Sequence, residues 1–179
     1  MAIGMWKKLL FTALLIGGVG GWGDLVTLFK KGAYNQICKY RWTYINRFRG
    51  SDERLLSLVA YSCLKLGQIT PALDVAKNLY RTPGGRQNGV YITTLFLMKQ
   101  LLLQVINDNL TLENVKLPII KGELLGEVFQ RVQKGLYQKE GNMLVIDNGI
   151  YQVEATFDGN ILIRKYDDDG NLLEKELYW

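Results

Sequence analysis

The residues of this chain that could do chemistry are few, and the most telling is one that is missing. There is no histidine. A Ser–His–Asp triad, a Cys–His dyad and a histidine-ligated zinc are therefore excluded. Cys38 and Cys63 are too few for a four-thiolate metal site. Glu174 and Glu176 stand on the same strand face as Leu172 and Tyr178, with Lys175 opposite. Two carboxylates can act as general acid and base, but only in a cleft that separates their proton affinities. No cleft is signalled, so they read as surface charge. Asp167-Asp168-Asp169-Gly170-Asn171 offers the oxygens of a calcium loop in the wrong order: Leu172 stands where the glycine belongs. It reads as a hairpin turn. The glycine-rich stretch Gly17–Gly23 has no strand before it and no Gly-Lys-Ser/Thr after it, so it is not a phosphate loop. A protein that is not an enzyme, with no metal and no cofactor, is expected.

The remaining chemistry is binding. KYRWTYINRFR, from Lys39 to Arg49, alternates basic and aromatic residues as no other part of the chain does. At helical spacing Tyr34, Ile37, Cys38, Trp42, Ile45 and Phe48 fall on one apolar face, with Lys39 and Arg47 pointing away. Most of the strip thus reads as the wet and dry sides of a helix. Arg41 is left amid the apolar face and must snorkel out or find a carboxylate, for which Glu53 is a candidate. Lys30, Lys31, Lys39, Arg41, Arg47, Arg49 and Arg54 against Asp52 and Glu53 leave a local excess of five positive charges. Tyr40 and Tyr44 flank the strip on one edge, where rings could stack on bases or sugars. The charge is low for a nucleic-acid groove and no fold signature accompanies it, so nucleic acid is not an expected partner. An anionic lipid or polymer, or an acidic protein face, remains open.

The elements that must position these residues come in two kinds. After the N-terminus the chain reads as helical to about residue 139. Helices are expected over Asp24–Lys31, Tyr34–Phe48, Leu55–Leu66, Pro71–Tyr80 and Val90–Ile106, with Ser51 or Asp52 capping the third. VYITTLFLMKQLLLQVI is apolar nearly all round, but its lysine is costly in lipid, so it reads as a buried central helix. Glu123–Gln138 is amphipathic through Leu124, Leu125, Val128, Phe129, Val132 and Leu136. Beyond residue 140 the period changes to two. Asp147-Asn148-Gly149, Asp158-Gly159-Asn160 and Asp169-Gly170-Asn171 mark hairpin turns between MLVI, IYQVEATF, ILIRKY and LLEKELYW. Tyr151, Val153, Ala155 and Phe157 alternate onto one face. An antiparallel meander of about four strands is expected, docked on the last amphipathic helix because a lone meander is marginal. The fold class is therefore α+β, with helices over 24–139 and a β-meander over 140–179.

The helical half contains an internal repeat. DLVTLFKKGAYNQICKYRWTYI and LVAYSCLKLGQITPALDVAKNL align without gaps, with Gly32 and Gly67 as anchors 35 positions apart. Leu25, Leu28 and Phe29 match Ala60, Cys63 and Leu64; Tyr34, Ile37 and Cys38 match Ile69, Ala72 and Leu73. Small residues at Ala60 and Ala72 allow close helix approach, and each hairpin buries one face only by stacking on the next. The pattern resembles the tetratricopeptide repeat, a helix–turn–helix unit of about 34 residues, over about residues 24–83. The second unit matches better, with Ala60, Gly67, Ala72, Ala76 and Pro83 at the family's small, turn and closing positions. Leu56 replaces the usual Trp and Ile69 the usual aromatic, and Ile37 stands where Ala is usual in the first unit. A third unit from Val90 lacks the glycine that would close its first helix. The resemblance implies capture of a peptide or protein along a concave face, without chemistry.

The N-terminus has Lys7 and Lys8, then the apolar run Leu9–Ile16, then the small-residue stretch to Gly23. That order is the order of an export signal. The run to Trp22 is shorter than the about 20 residues of a comfortable membrane span, so residues 1–23 read as a signal or as an N-terminal anchor. The expected location is the bacterial periplasm, soluble after cleavage or tethered to the inner membrane through residues 7–23. The 48% apolar composition and 179-residue length of the whole chain allow a real core. In an oxidising compartment Cys38 and Cys63 can form a disulfide, closing a loop of about 24 residues and adding about 3 kcal/mol; they can equally pack as two buried thiols. The expected function is an adaptor or assembly factor for an envelope protein or multiprotein complex. Its partner-binding residues would be Tyr40, Arg41, Tyr44, Arg47, Tyr61 and Lys65. The alternative is a binder of anionic lipid or polymer through residues 39–49.

Overall fold

The computed structural model describes residues 23–179, so the apolar stretch read as signal or anchor lies outside the described residues. The described chain is α+β: seven helices, then one five-stranded antiparallel sheet in the order β1-β2-β3-β4-β5. The helices are α1 (Gly23–Lys30), α2 (Tyr34–Lys39), α3 (Arg41–Phe48), α4 (Glu53–Leu64), α5 (Ile69–Ala76), α6 (Pro83–Asp108) and α7 (Leu124–Gln133). The strands are β1 (Tyr137–Glu140), β2 (Met143–Ile146), β3 (Tyr151–Ala155), β4 (Ile161–Tyr166) and β5 (Leu172–Tyr178). The chain divides into two compact units between Thr93 and Thr94, inside α6. The change of period expected near residue 139 marks where helix gives way to strand, between α7 and β1.

In the first unit the glycine turns recur in register. Gly32 N–H donates to Phe29 O and Ala33 N–H to Leu28 O; Gly67 N–H donates to Leu64 O and Gln68 N–H to Cys63 O. Both glycines are left-handed, at φ +69 and φ +68. That conformation is why glycine stands there: it lets a helix end while its last carbonyls stay bonded. Each turn swings the chain into an antiparallel helix. The core between α2, α3, α4 and α5 holds Ile37, Cys38, Ile45, Leu56, Val59, Ala60, Cys63, Ala72 and Val75, all buried.

Several helix boundaries differ from the sequence expectation: Leu55–Leu66 is found as Glu53–Leu64 and Pro71–Tyr80 as Ile69–Ala76, and two further differences are larger. The expected helix Tyr34–Phe48 breaks at Tyr40, whose φ −94, ψ 20 lies outside the helical well and separates α2 from α3. Ile45 and Phe48 beyond the break are buried as expected, and the departure falls on the first turn of α3. Trp42, assigned to the apolar face, is 51% exposed. The expected turn Thr82–Gly85 is instead the start of α6: Thr82 Oγ1 accepts the Gly85 N–H at 2.9 Å, and Pro83 takes the first helical position. An N-cap threonine before a proline that has no N–H to leave unpaired is a helix-start signal.

The second unit packs the rest of α6 and α7 with the sheet. Its core contains Met98, Leu102, Ile106, Ile120, Leu125, Val128, Phe129, Leu144, Val153, Ile161 and Ile163. Leu144, Val153 and Ile163 are consecutive cross-strand partners on the buried face. Gly126 sits so close to the Ile120 backbone that an added Cβ would lie 2.6 Å from Ile120 O. There are five strands rather than about four, because α7 stops at Gln133 and Tyr137–Glu140, whose first two residues were expected to end the helix, pairs with β2. Phe157 lies past the end of β3, in the hairpin turn, and is fully exposed instead of core-facing.

The sheet meets α7 through polar groups as well. Tyr178 Oη accepts the Leu125 N–H at 3.2 Å and donates to Glu176. Burial, reinforced by the negative charge of Glu176, pushes the Tyr178 hydroxyl far above its ordinary range. Glu127 accepts from Tyr151 Oη and Lys165 Nζ, each at 3.3 Å, and Arg131 lies 4.4 Å over the Tyr151 ring while bonding Asp147 at 2.6 Å. The hydrogen bond to Glu127 raises the Lys165 ammonium's pKa, outweighing a small burial penalty.

Among the described residues, α6 alone is long and apolar enough to cross a membrane, yet half of its apolar window is buried within the protein. Lys99 sits in that window, 4% exposed, with Nζ 3.4 Å from Asn160 Oδ1. Burial lowers its pKa, because the charged amine gives up water for one amide oxygen. The unfolded chain then holds its proton to higher pH than the folded protein does. Stability should rise between the lowered folded value and the ordinary one near about 10.4. Lys99→Met is expected to raise neutral-pH stability by about 1 kcal/mol and to abolish that alkaline rise, read by urea unfolding. A destabilised variant would mean that the amine holds the hairpin in place.

Candidate functional site

The six residues expected to bind a partner take part in several local sets of contacts. Tyr61 and Lys65 belong to an aromatic cluster built by α1, α4 and the start of α2. The Tyr61 ring lies 5.8 Å from Phe29 and 6.5 Å from Tyr34, and Phe29 and Tyr34 meet edge-on at 5.5 Å. Lys65 Nζ stands 5.2 Å over the Tyr61 ring. All three rings are half-buried. They present apolar faces with polar rims, the chemistry common at the centre of protein interfaces.

Tyr44 and Arg47 lie elsewhere. Tyr44 stacks on Phe48 with centroids 6.3 Å apart, and the Arg47 guanidinium sits 5.3 Å from the same Phe48 ring. Burial raises the Tyr44 hydroxyl's pKa, with Asp24 adding to the shift and Arg47 opposing it. Tyr40 is 50% exposed beneath Lys39, whose Nζ is 5.6 Å from the ring centre.

Arg41 makes an ion pair inside the helical unit. Its Nε donates to Asp74 Oδ2 at 3.1 Å, tying α3 to α5, and Lys77 approaches the other oxygen of Asp74 at 3.5 Å. The carboxylate proposed for Arg41 from sequence, Glu53, is engaged elsewhere. Glu53 is 5% exposed and accepts four hydrogen bonds: from Tyr80 N (2.8 Å), Arg81 N (2.5 Å), Thr82 N (2.7 Å) and Thr82 Oγ1 (2.5 Å). Burial alone would raise its pKa; the Thr82 hydroxyl and the three backbone N–H groups outweigh it and hold the carboxyl below its ordinary range. The cage pins the loop before α6 to the first turn of α4. No local pattern advertised it, because the donors are backbone groups 27 to 29 positions away.

Cys38 and Cys63 are joined as a disulfide between α2 and α4, with Cα atoms 5.0 Å apart. Asp167 is fully occupied by its own turn, accepting from Asp169 N, Asn171 N and Asn171 Nδ2. These bonds lower its pKa, the Asn171 side chain first among them. Among the described residues no group of three or more Cys, Asp or Glu is placed to hold a metal ion. The arrangement therefore offers surfaces: an aromatic cluster around Tyr61, and a basic face on α2 and α3. No protein-family model, no curated protein and no solved structure matches the chain.

Proposed function

We propose that this chain is a non-catalytic adaptor or assembly factor of the bacterial cell envelope. It would capture a protein segment on stacked helical hairpins of tetratricopeptide-like type. The observation that carries the reading is the recurrence of one turn, with the same backbone bonds at Gly32 and Gly67. Repeated hairpins leave an extended side surface, and the half-buried rings of Phe29, Tyr34 and Tyr61 beside Lys65 support it as the place of capture. The apolar run Leu9–Ile16 behind Lys7 and Lys8 supports an exported or membrane-tethered protein. The Cys38–Cys63 bridge supports an oxidising compartment.

The test is capture from crosslinked cells with a C-terminally tagged chain, comparing wild type with a Tyr34→Ala, Lys65→Glu double variant. One envelope complex should be enriched at near-stoichiometric yield by the wild type and lost with the folded variant. Equal capture by both would remove the aromatic cluster from the interface. The second reading, an anionic lipid or polymer on residues 39–49, is favoured by a separate observation of charge.

A further inference from the structure

The two units carry opposite charge. Residues 23–93 hold eleven Lys and Arg against four Asp and Glu; residues 94–179 hold nine against thirteen. Within the first unit the imbalance is concentrated further. From Lys30 to Ser51 there is no acidic residue at all. Lys39, Arg47 and Arg49 are exposed there, and none pairs with a carboxylate among the described residues. Lys39 stands over the exposed Tyr40 ring, so cation and aromatic are presented together there, while Arg47 lies over the buried ring of Phe48.

Tyr40 and Trp42 are each about half exposed, on the stretch where α2 breaks into α3. Indole and phenol rings next to Lys and Arg are the side chains that settle at the headgroup level of a bilayer. The strip follows soon after the apolar run Leu9–Trp22, the part of the sequence suited to lipid. A protein partner would call for a contiguous apolar centre with charge at its rim. Here two exposed rings and three exposed cations share one stretch that has no contiguous apolar centre, which suits a wide anionic plane.

We propose that the outward face of α2 and α3 docks on an anionic lipid bilayer, with Lys39, Arg47 and Arg49 at the headgroups and Tyr40 and Trp42 entering the interface. Arg41 takes no part, because Asp74 holds it. The inference goes beyond partner capture and does not need it: the Tyr61 cluster and the strip are separate surfaces, and either can fail alone.

The experiment uses the full chain incorporated into vesicles, so that the N-terminal segment contributes equally throughout. Trp42 emission is isolated as the difference between wild type and Trp42→Phe, and its quenching by bromine-labelled lipid is measured. Vesicles are zwitterionic, or contain about 30% anionic lipid. Three surface cations correspond to about a hundredfold bias toward the docked state. Quenching of Trp42 is expected in anionic vesicles only. It should vanish in about 0.5 M salt, where charges are screened within a few ångströms. It should vanish also in the Lys39→Gln, Arg47→Gln, Arg49→Gln variant, whose exposed substitutions leave the helices intact by circular dichroism. Equal quenching in both vesicle types, quenching that survives the triple substitution, or none in either would overturn the proposal. So would a Trp42 response to single-stranded DNA with none to anionic lipid, which would make the strip a nucleic-acid site.

Discussion

Glu53→Ala is expected to destabilise the helical unit by about 3–5 kcal/mol, because it strands three backbone N–H groups and a hydroxyl that have no other partner in the cage. Urea unfolding followed by circular dichroism reads the loss. Glu53→Gln keeps the shape but turns one acceptor oxygen into a donor that faces donors, so it should recover little. Gly85→Ala approaches the same defect from the other side. Its added Cβ would fall on Glu53 Oε2 and lie 2.8 Å from Glu53 Cδ, driving the carboxylate out of its cage. Acid should act likewise. The folded pKa lies below the unfolded one, so the contribution is complete above the unfolded value of about 4.3 and is lost as pH falls through the folded value. Wild type should therefore lose stability below about pH 4 more steeply than Glu53→Ala. Equal acid slopes for the two proteins would show that the carboxylate is not caged in solution.

Breaking the Cys38–Cys63 bridge is the second large effect. The two residues are 25 apart in sequence, and a loop of that size restrains the unfolded chain by about 3 kcal/mol. Cys63→Ser, or reduction with dithiothreitol, should lower the urea midpoint accordingly. Reduction is expected to be slightly milder. A reduced Cys38 gains a proton that it can donate to Gln68 Oε1, which lies 3.0 Å from its sulfur. Both sulfurs are tied up in the bridge, so a thiol reagent should label the non-reduced protein neither folded nor in denaturant. Labelling in denaturant without reductant would mean two packed thiols and no bridge.

Much of the fold was legible in the sequence because its signals are local. Gly32 and Gly67 end helices, Asp52 accepts the Arg54 and Leu55 N–H groups at the start of α4, and the Asp-Gly turns set the hairpins. The alternation of Tyr151, Val153 and Ala155 is the burial pattern of β3. What failed had non-local causes. Trp42 left the apolar face because the backbone breaks two residues before it, and nothing in a helical wheel contains that break. Arg41 found Asp74 and Glu53 found the 80–82 backbone, pairings that need the hairpins already stacked. The same limit applies to the candidate residues: Tyr61 and Tyr40 were both partner-binding candidates, and the structure gives one a ring cluster and the other a neighbouring lysine.

The bridge between α2 and α4 also has a mechanical meaning. A pull applied at Asp24 and resisted beyond α4 passes from Cys38 directly to Cys63 through the sulfurs. The segment between them, which includes α3 and the caged Glu53, then hangs outside the path of the force. Stretched out, those residues would release about 80 Å of chain; the covalent shortcut withholds it. A protein fixed at one end and tugged through its partner would keep this loop folded under tension, with the basic face of α3 still in its working shape.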